Sequence, residues 1–107
     1  MLKSLYIKNY AIIEEINISF NNGLNIITGP SGSGKTLIVR AISFLTGSSL
    51  GKKFLSLDNT VIEGVFISGK KEYVLRRVFN LKSTKNYIND EPTKVTEYKK
   101  IAARLMD

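Results

Sequence analysis

Apolar and polar residues alternate from Leu2 to Lys8, and again where Ile16, Ile18 and Phe20 are separated by Asn17 and Ser19. Alternation at period two sends successive side chains to opposite faces of a strand, so two half-buried strands are predicted. Asn22-Gly23 is a turn dipeptide. It hands the chain to Leu24-Asn25-Ile26-Ile27-Thr28, a short β-branched run that ends directly at a glycine-rich stretch. From Lys35 to Thr46 the pattern changes, with Leu37, Ile38, Val39, Ala41, Ile42, Phe44 and Leu45 apolar on most sides and Gly47 placed where a left-handed cap would close a helix. A buried helix is predicted there. Residues 48–59 are rich in Ser, Gly and Lys and read as a connection with some local helix.

Val61 to Ser68 and Glu72 to Phe79 are strand-like runs split by Gly69-Lys70, and a third, Lys85 to Ile88, follows the polar turn Leu81 to Thr84. The simplest arrangement is an antiparallel meander over about residues 60–89. Beyond Pro92, Val95, Tyr98, Ala102 and Leu105 recur at steps of three or four, which predicts a terminal helix over about residues 93–106. No repeats or low-complexity tracts are evident.

Composition narrows the chemistry more than the fold. The 107 residues, 43% of them apolar, suffice for one small domain or part of one. With no cysteine and no histidine, disulfides, thiolate metal sites and imidazole catalysis are excluded. Four basic side chains (Lys3, Lys8, Lys35, Arg40) and two acidic ones (Glu14, Glu15) precede Gly51, leaving twelve and seven after it, so the net charge of +7 is concentrated in the second half. That balance suits a polyanion such as DNA, although lysine-rich surfaces also occur in proteins that bind none. Lys3, Lys8, Glu14 and Glu15 interrupt any signal-peptide core, and no apolar run approaches the roughly 20 residues of a membrane helix. A cytoplasmic location without membrane contact is expected.

The glycine-rich stretch carries the strongest chemical signal. Gly29-Pro30-Ser31-Gly32-Ser33-Gly34-Lys35-Thr36 fits G-x-x-x-x-G-K-[ST] without mismatch, between a predicted strand and a predicted helix. Glycines allow successive backbone N–H groups to point into one concavity, and the helix N-terminus adds partial positive charge, so the loop is suited to phosphate. Lys35 is expected to set its ammonium against the β- and γ-phosphates of ATP, and the Thr36 hydroxyl to serve as a ligand of Mg²⁺. No catalytic residue is assigned. Asp90-Glu91 imitates the carboxylate pair of a Walker B strand, but Asn89 interrupts the apolar run and Pro92 follows at once, so a solvated turn is the better reading. Ile67-Ser68-Gly69-Lys70 imitates an ABC signature, yet lies between two strand patterns where a hairpin turn explains it. Arg76 and Arg77 are adjacent on a strand and must face opposite ways, so at least one is expected to be a solvated strand charge. Lys70-Lys71 and Lys99-Lys100 are expected at the solvated surface.

The segments Leu2 to Ile13, Ile18-Ser19-Phe20, Gly23 to Gly29 and Ala41 to Gly47 resemble the head domain of the RecN family of bacterial DNA-repair proteins, SMC-like members of the ABC ATPases. Leu75-Arg76-Arg77-Val78 and Tyr87-Ile88-Asn89-Asp90 look like later segments of that head. The resemblance implies an α/β P-loop NTPase: residues 1–107 would be the N-terminal lobe of an ABC/SMC-type head with an antiparallel β-subdomain, truncated before the Q-loop. It further implies a role in double-strand break repair and recombination, dimerisation of heads around ATP, and contact with DNA through the full-length protein. The missing C-terminal head portion or a second head would be its protein partners. This chain departs from the family pattern at Pro30-Ser31, Thr36 and Arg40. It also contains neither Walker B nor signature motif, so hydrolysis by the chain alone is not expected. The alternatives are a fragment of an ABC transporter ATPase, disfavoured by Asn22-Gly23-Leu24-Asn25 where an adenine platform and a Gly-Glu turn are usual, and a nonfunctional remnant or interaction module.

Overall fold

The computed structural model describes residues 1–20, 32–48, 59–80 and 82–106; for residues 32–36 it describes the backbone alone. The turn expected at Asn22-Gly23, the strand expected at Leu24–Thr28 and most of the connection expected at 48–59 lie outside the described residues.

Leu2–Tyr10 forms β1 and Ile13–Ser19 forms β2. Helix α1, Gly32–Leu45, follows, then β3 at Thr60–Ser68, β4 at Lys71–Phe79, β5 at Thr84–Ile88 and β6 at Glu91–Pro92. Helix α2 occupies Val95–Met106. The strands make one sheet in the order β2-β1-β3-β4-β5-β6, and every neighbouring pair is antiparallel. The expected meander is thus one part of a larger sheet, because β1 pairs along β3 although α1 lies between them in sequence. Gly69, with φ of 63°, takes the first central position of the two-residue hairpin that joins Ser68 to Lys71. β6 was not foreseen; its proline is tolerated because it occupies the sheet edge.

One sheet face is dry. Leu5 and Ile7 of β1, Ile62 and Phe66 of β3, and Leu75 and Phe79 of β4 are buried together with Ala41, Phe44 and Leu45 of α1 and Tyr98, Ala102 and Leu105 of α2. Both helices therefore cover the same face. Strict alternation along β1 would not achieve this, since Leu2 and Leu5, like Ile7 and Tyr10, are three residues apart. The register shifts between Leu2 and Ser4, and Asn9 adopts φ of 54°; these two breaks re-phase the strand so that all four side chains point inward. Asparagine is among the few non-glycine residues that accept that conformation readily.

Candidate functional site

The candidate site is the phosphate-binding loop, and the structure contributes the element that follows it. Helix α1 starts at Gly32, inside the loop string, so the backbone of Gly32, Ser33, Gly34, Lys35 and Thr36 forms its first turn. Gly29, Pro30 and Ser31, and the side chains of Ser33, Lys35 and Thr36, lie outside the described residues. The first-turn N–H groups of a helix have no intrahelical acceptor, and the helix dipole makes that end favourable for an anion. No acidic side chain is present in the first turn of α1 to compete for the position. These backbone donors suit the phosphates of a nucleotide, with Lys35 and Thr36 at the end of the same turn.

The far end of α1 shows how the helix is held. Ser48 N–H donates to Ser43 O (3.2 Å) and Gly47 N–H to Phe44 O (3.1 Å), with Gly47 at φ 126°. This is the Schellman arrangement, and it agrees with the cap expected at Gly47. Gly64 of β3 lets the helix lie close to the sheet: a Cβ there would stand 2.5 Å from Leu45 Cδ2.

Arg77 of β4 completes the anchorage. It is 5% exposed, on the same face as Leu75 and Phe79. Its Nη1 donates to Phe44 O (2.7 Å) and Ser48 O (3.2 Å), and its Nε to Asn86 Oδ1 of β5 (2.7 Å). The guanidinium lies 4.3 Å from the centroid of the Phe44 ring and 5.5 Å from that of Tyr98. Tyr98 Oη in turn donates to Leu45 O (2.5 Å). Burial pulls the Arg77 guanidinium below its ordinary pKa and pushes the Tyr98 phenol above its own. α1 itself has no basic residue in its last turn, so a positive charge from β4 serves its negative end.

Arg76 and Arg77 do face opposite ways. Arg76, on the other face, reaches Asp90 Oδ1 (2.8 Å) and Glu63 Oε1 (3.6 Å) and stacks on Tyr87, 4.6 Å to the centroid. Asn89 and Asp90 form the β5–β6 turn, and Gly69-Lys70 the β3–β4 turn, so the Walker B imitation and the signature imitation both lie at hairpin turns. Lys70, Lys71, Lys99 and Lys100 are exposed. Arg40 is exposed on α1, where its charge opposes the burial that raises the Tyr10 phenol. The sequence placed Arg76 and Arg77 on opposite faces and expected at least one solvated strand charge, but did not foresee Arg77 as a buried contact of α1. Its true surroundings were signalled by parity, since it shares the inward positions of β4 with Leu75 and Phe79. The partnership with Tyr98, 21 positions later, has no local sign.

With this geometry in view, the comparisons with known proteins are informative. A family model described as an AAA domain matches residues 4–104. The DNA repair protein RecN of Bacillus subtilis (strain 168) is 44% identical over 69 residues, which are 63% of this chain and 12% of that protein. RecN of Aquifex aeolicus (strain VF5) is 36% identical over 89 residues, 83% of this chain and 16% of that protein. The chain therefore spans well under a fifth of the length of these relatives. Among solved structures, the SMC head domain from Thermotoga maritima superposes with a TM-score of 0.79 over 94% of this chain and 41% of that one, at 24% identity. The recombination mediator protein RecF, in the structure described as RecF-ATPrS, gives 0.79 over 92% of this chain and 29% of that one, at 18% identity. At such identities these two establish the fold, which is shared with part of an SMC or RecF head. Among the described residues no helix is long and apolar enough to cross a membrane.

Proposed function

This chain belongs to the family described as the AAA domain, and on that premise we propose that it is the ATP-binding lobe of a RecN-like DNA-repair ATPase, holding ATP and Mg²⁺ on Gly29–Thr36. The observation that carries the reading is the coincidence of a mismatch-free loop string with a helix that begins inside it, at Gly32. In this reading the backbone of Gly29, Pro30, Ser31, Gly32, Ser33 and Gly34 wraps the phosphates. Lys35 neutralises the β- and γ-phosphates, and the Thr36 hydroxyl takes one position on the metal. The bound Mg²⁺ would screen the triphosphate charge and order its oxygens. RecN relatives carry the description of DNA repair proteins, which supports the same setting for this chain. DNA, the remainder of a head and a second head are the partners that setting implies.

Binding and turnover separate in this lobe. Hydrolysis needs a group that orients the attacking water and charge stabilisation on the far side of the γ-phosphate. Asp90 and Glu91 are committed to the β5–β6 hairpin at the sheet edge, with Asp90 paired to Arg76 on the face away from α1. The direct test is the metal dependence of binding. ATP affinity should fall in a chelator, and Thr36→Val, which keeps the shape but removes the ligand oxygen, should lose most of the difference between Mg²⁺ and chelator. Equal affinity of the parent protein in both conditions would refute the role given to Thr36.

A further inference from the structure

We propose that Arg77 is a positioning residue for the nucleotide: by clamping the C-terminal end of α1 it sets where the helix N-terminus, and with it Lys35 and Thr36, stands. The inference rests on the nucleotide-binding reading above. A buried arginine is a costly way to fill a core position, because a well-packed apolar side chain of similar volume avoids the desolvation. Here the donors are spent on one target. Two of the three hydrogen bonds of Arg77 go to the carbonyls of Phe44 and Ser48, which lie at and just beyond the end of α1. The third, to Asn86 Oδ1, ties the guanidinium to β5 and fixes its plane. Tyr98 Oη takes the neighbouring carbonyl of Leu45, so α2 and β4 grip adjacent peptide groups of one helical turn.

The distribution of packing along α1 makes that grip decisive. Among the described side chains of α1, those fully buried are Ala41, Phe44 and Leu45, whereas Leu37 and Ile38 are half-buried and Val39 and Arg40 exposed. Among the described residues, hydrogen bonds from Arg77 and Tyr98 tie α1 to β4 and α2 at its C-terminal end, and the phosphate loop lies at the other. Fourteen residues make a rod of about 20 Å, stiff enough to carry a small shift from one end to the other. A slip of one residue moves the rod by about 1.5 Å and turns it by about 100°, which would take the Phe44 carbonyl away from Arg77. Displacements near 1 Å in a preorganised site have large effects on what it holds. The Phe44 ring, packed against Phe79 at 4.1 Å between centroids and beneath the guanidinium at 4.3 Å, adds a restraint on rotation.

The experiment compares Arg77→Met, Arg77→Lys and Tyr98→Phe with the parent protein, by calorimetric titration of ATP with Mg²⁺ at a temperature where each is fully folded by circular dichroism. Ile7→Val, a core change in β1 away from the clamp, controls for stability alone and should bind as the parent does. Arg77→Met should weaken binding about tenfold or more, Arg77→Lys less, and Tyr98→Phe a few-fold, as for groups that orient a ligand-binding residue without touching the ligand. Amide exchange at residues 37–40 of α1, whose N–H groups bond back into the helix, should quicken in the same order without nucleotide. A folded Arg77→Met that binds as tightly as the parent overturns the proposal. If that variant does not fold, parental affinity in both Arg77→Lys and Tyr98→Phe overturns it instead. Failure of the parent itself to bind ATP would refute the loop assignment, and the exchange pattern would then judge the clamp: unchanged protection at residues 37–40 contradicts it.

Discussion

Asn89 and Asp90 both adopt positive φ, 51° and 66°, as the two central residues of the turn between β5 and β6. Asparagine accepts this region readily, and it is further repaid because Asn89 Oδ1 accepts from Val74 N–H (2.9 Å) while its own N–H donates to Val74 O (2.9 Å). Asp90 stands where turns of this kind favour glycine. Its ion pair with Arg76 offsets little, since the carboxylate side chain is 80% exposed and exposed pairs contribute about 0–1 kcal/mol. Asp90→Gly is therefore expected to raise stability by about 0.5 kcal/mol, measured by urea denaturation; a loss would mean that the Arg76 pair outweighs the backbone conformation. Tyr98 gives a second residue-scale prediction. Its phenol is raised from 10.0 by burial, with the nearby Arg77 charge opposing. The folded state thus keeps the proton that the unfolded chain releases near pH 10, so this contribution is complete below about pH 10 and is lost as pH rises above it. Stability of the parent should decline between pH 9.5 and 11 by up to about 1.4 kcal/mol per pH unit from this group, and Tyr98→Phe should show a shallower decline. Parallel curves would contradict the burial of the hydroxyl. The string Gly29–Thr36 stands out in the sequence because its spacing is a local signature; Asp90 and Tyr98 needed partners distant in sequence, and only the inward parity of Arg77 hinted at its place.

At the scale of elements, the contact that seats α1 on the sheet is the approach of Leu45 to Gly64. A Cβ on residue 64 would meet Leu45 Cδ2 at 2.5 Å and Leu2 Cδ1 at 3.2 Å, both within a packed core. Gly64→Ala should destabilise by about 1–3 kcal/mol through overpacking. Leu45→Ala alone should cost about 2–5 kcal/mol by opening a cavity. The double variant should be less destabilised than the sum, with a coupling of about 0.5 kcal/mol or more in a double-mutant cycle. Strict additivity would show that the helix does not rest on this glycine. The same scale shows what alternation can and cannot reveal. β3 follows period two from Thr60 to Phe66 and was readable as a strand directly. β1 was recognised as a strand, but its faces were not, because a register shift between Leu2 and Ser4 and the left-handed Asn9 are set by pairing with β3 and β2 rather than by its own residues.

Across the whole molecule, the described residues form a two-layer unit in which a six-stranded antiparallel sheet carries α1 and α2 on one face. The neighbours β3, β4 and β5 were foreseen from the short turns that join them; β6 was not, nor was the β1–β3 pairing, since the entire loop and α1 separate its partners. The opposite face bears a cross-strand row of Tyr6, Glu63, Arg76 and Tyr87. Charge on that face is internally paired at Arg76, whose partners are Glu63 and Asp90. The chain alone is accordingly expected to release no phosphate from ATP above background, with or without duplex DNA; a rate abolished by Lys35→Ala would contradict this. Everything functional in the account depends on the loop that precedes α1. The measurement that tests it most directly is calorimetric titration of ATP with Mg²⁺ into the parent protein and into Lys35→Ala, after circular dichroism shows both equally folded. Saturable binding by the parent, weakened by about 1.5–3 kcal/mol in Lys35→Ala, is the predicted result. Equal affinity in the two proteins, or no binding by the parent, would contradict it.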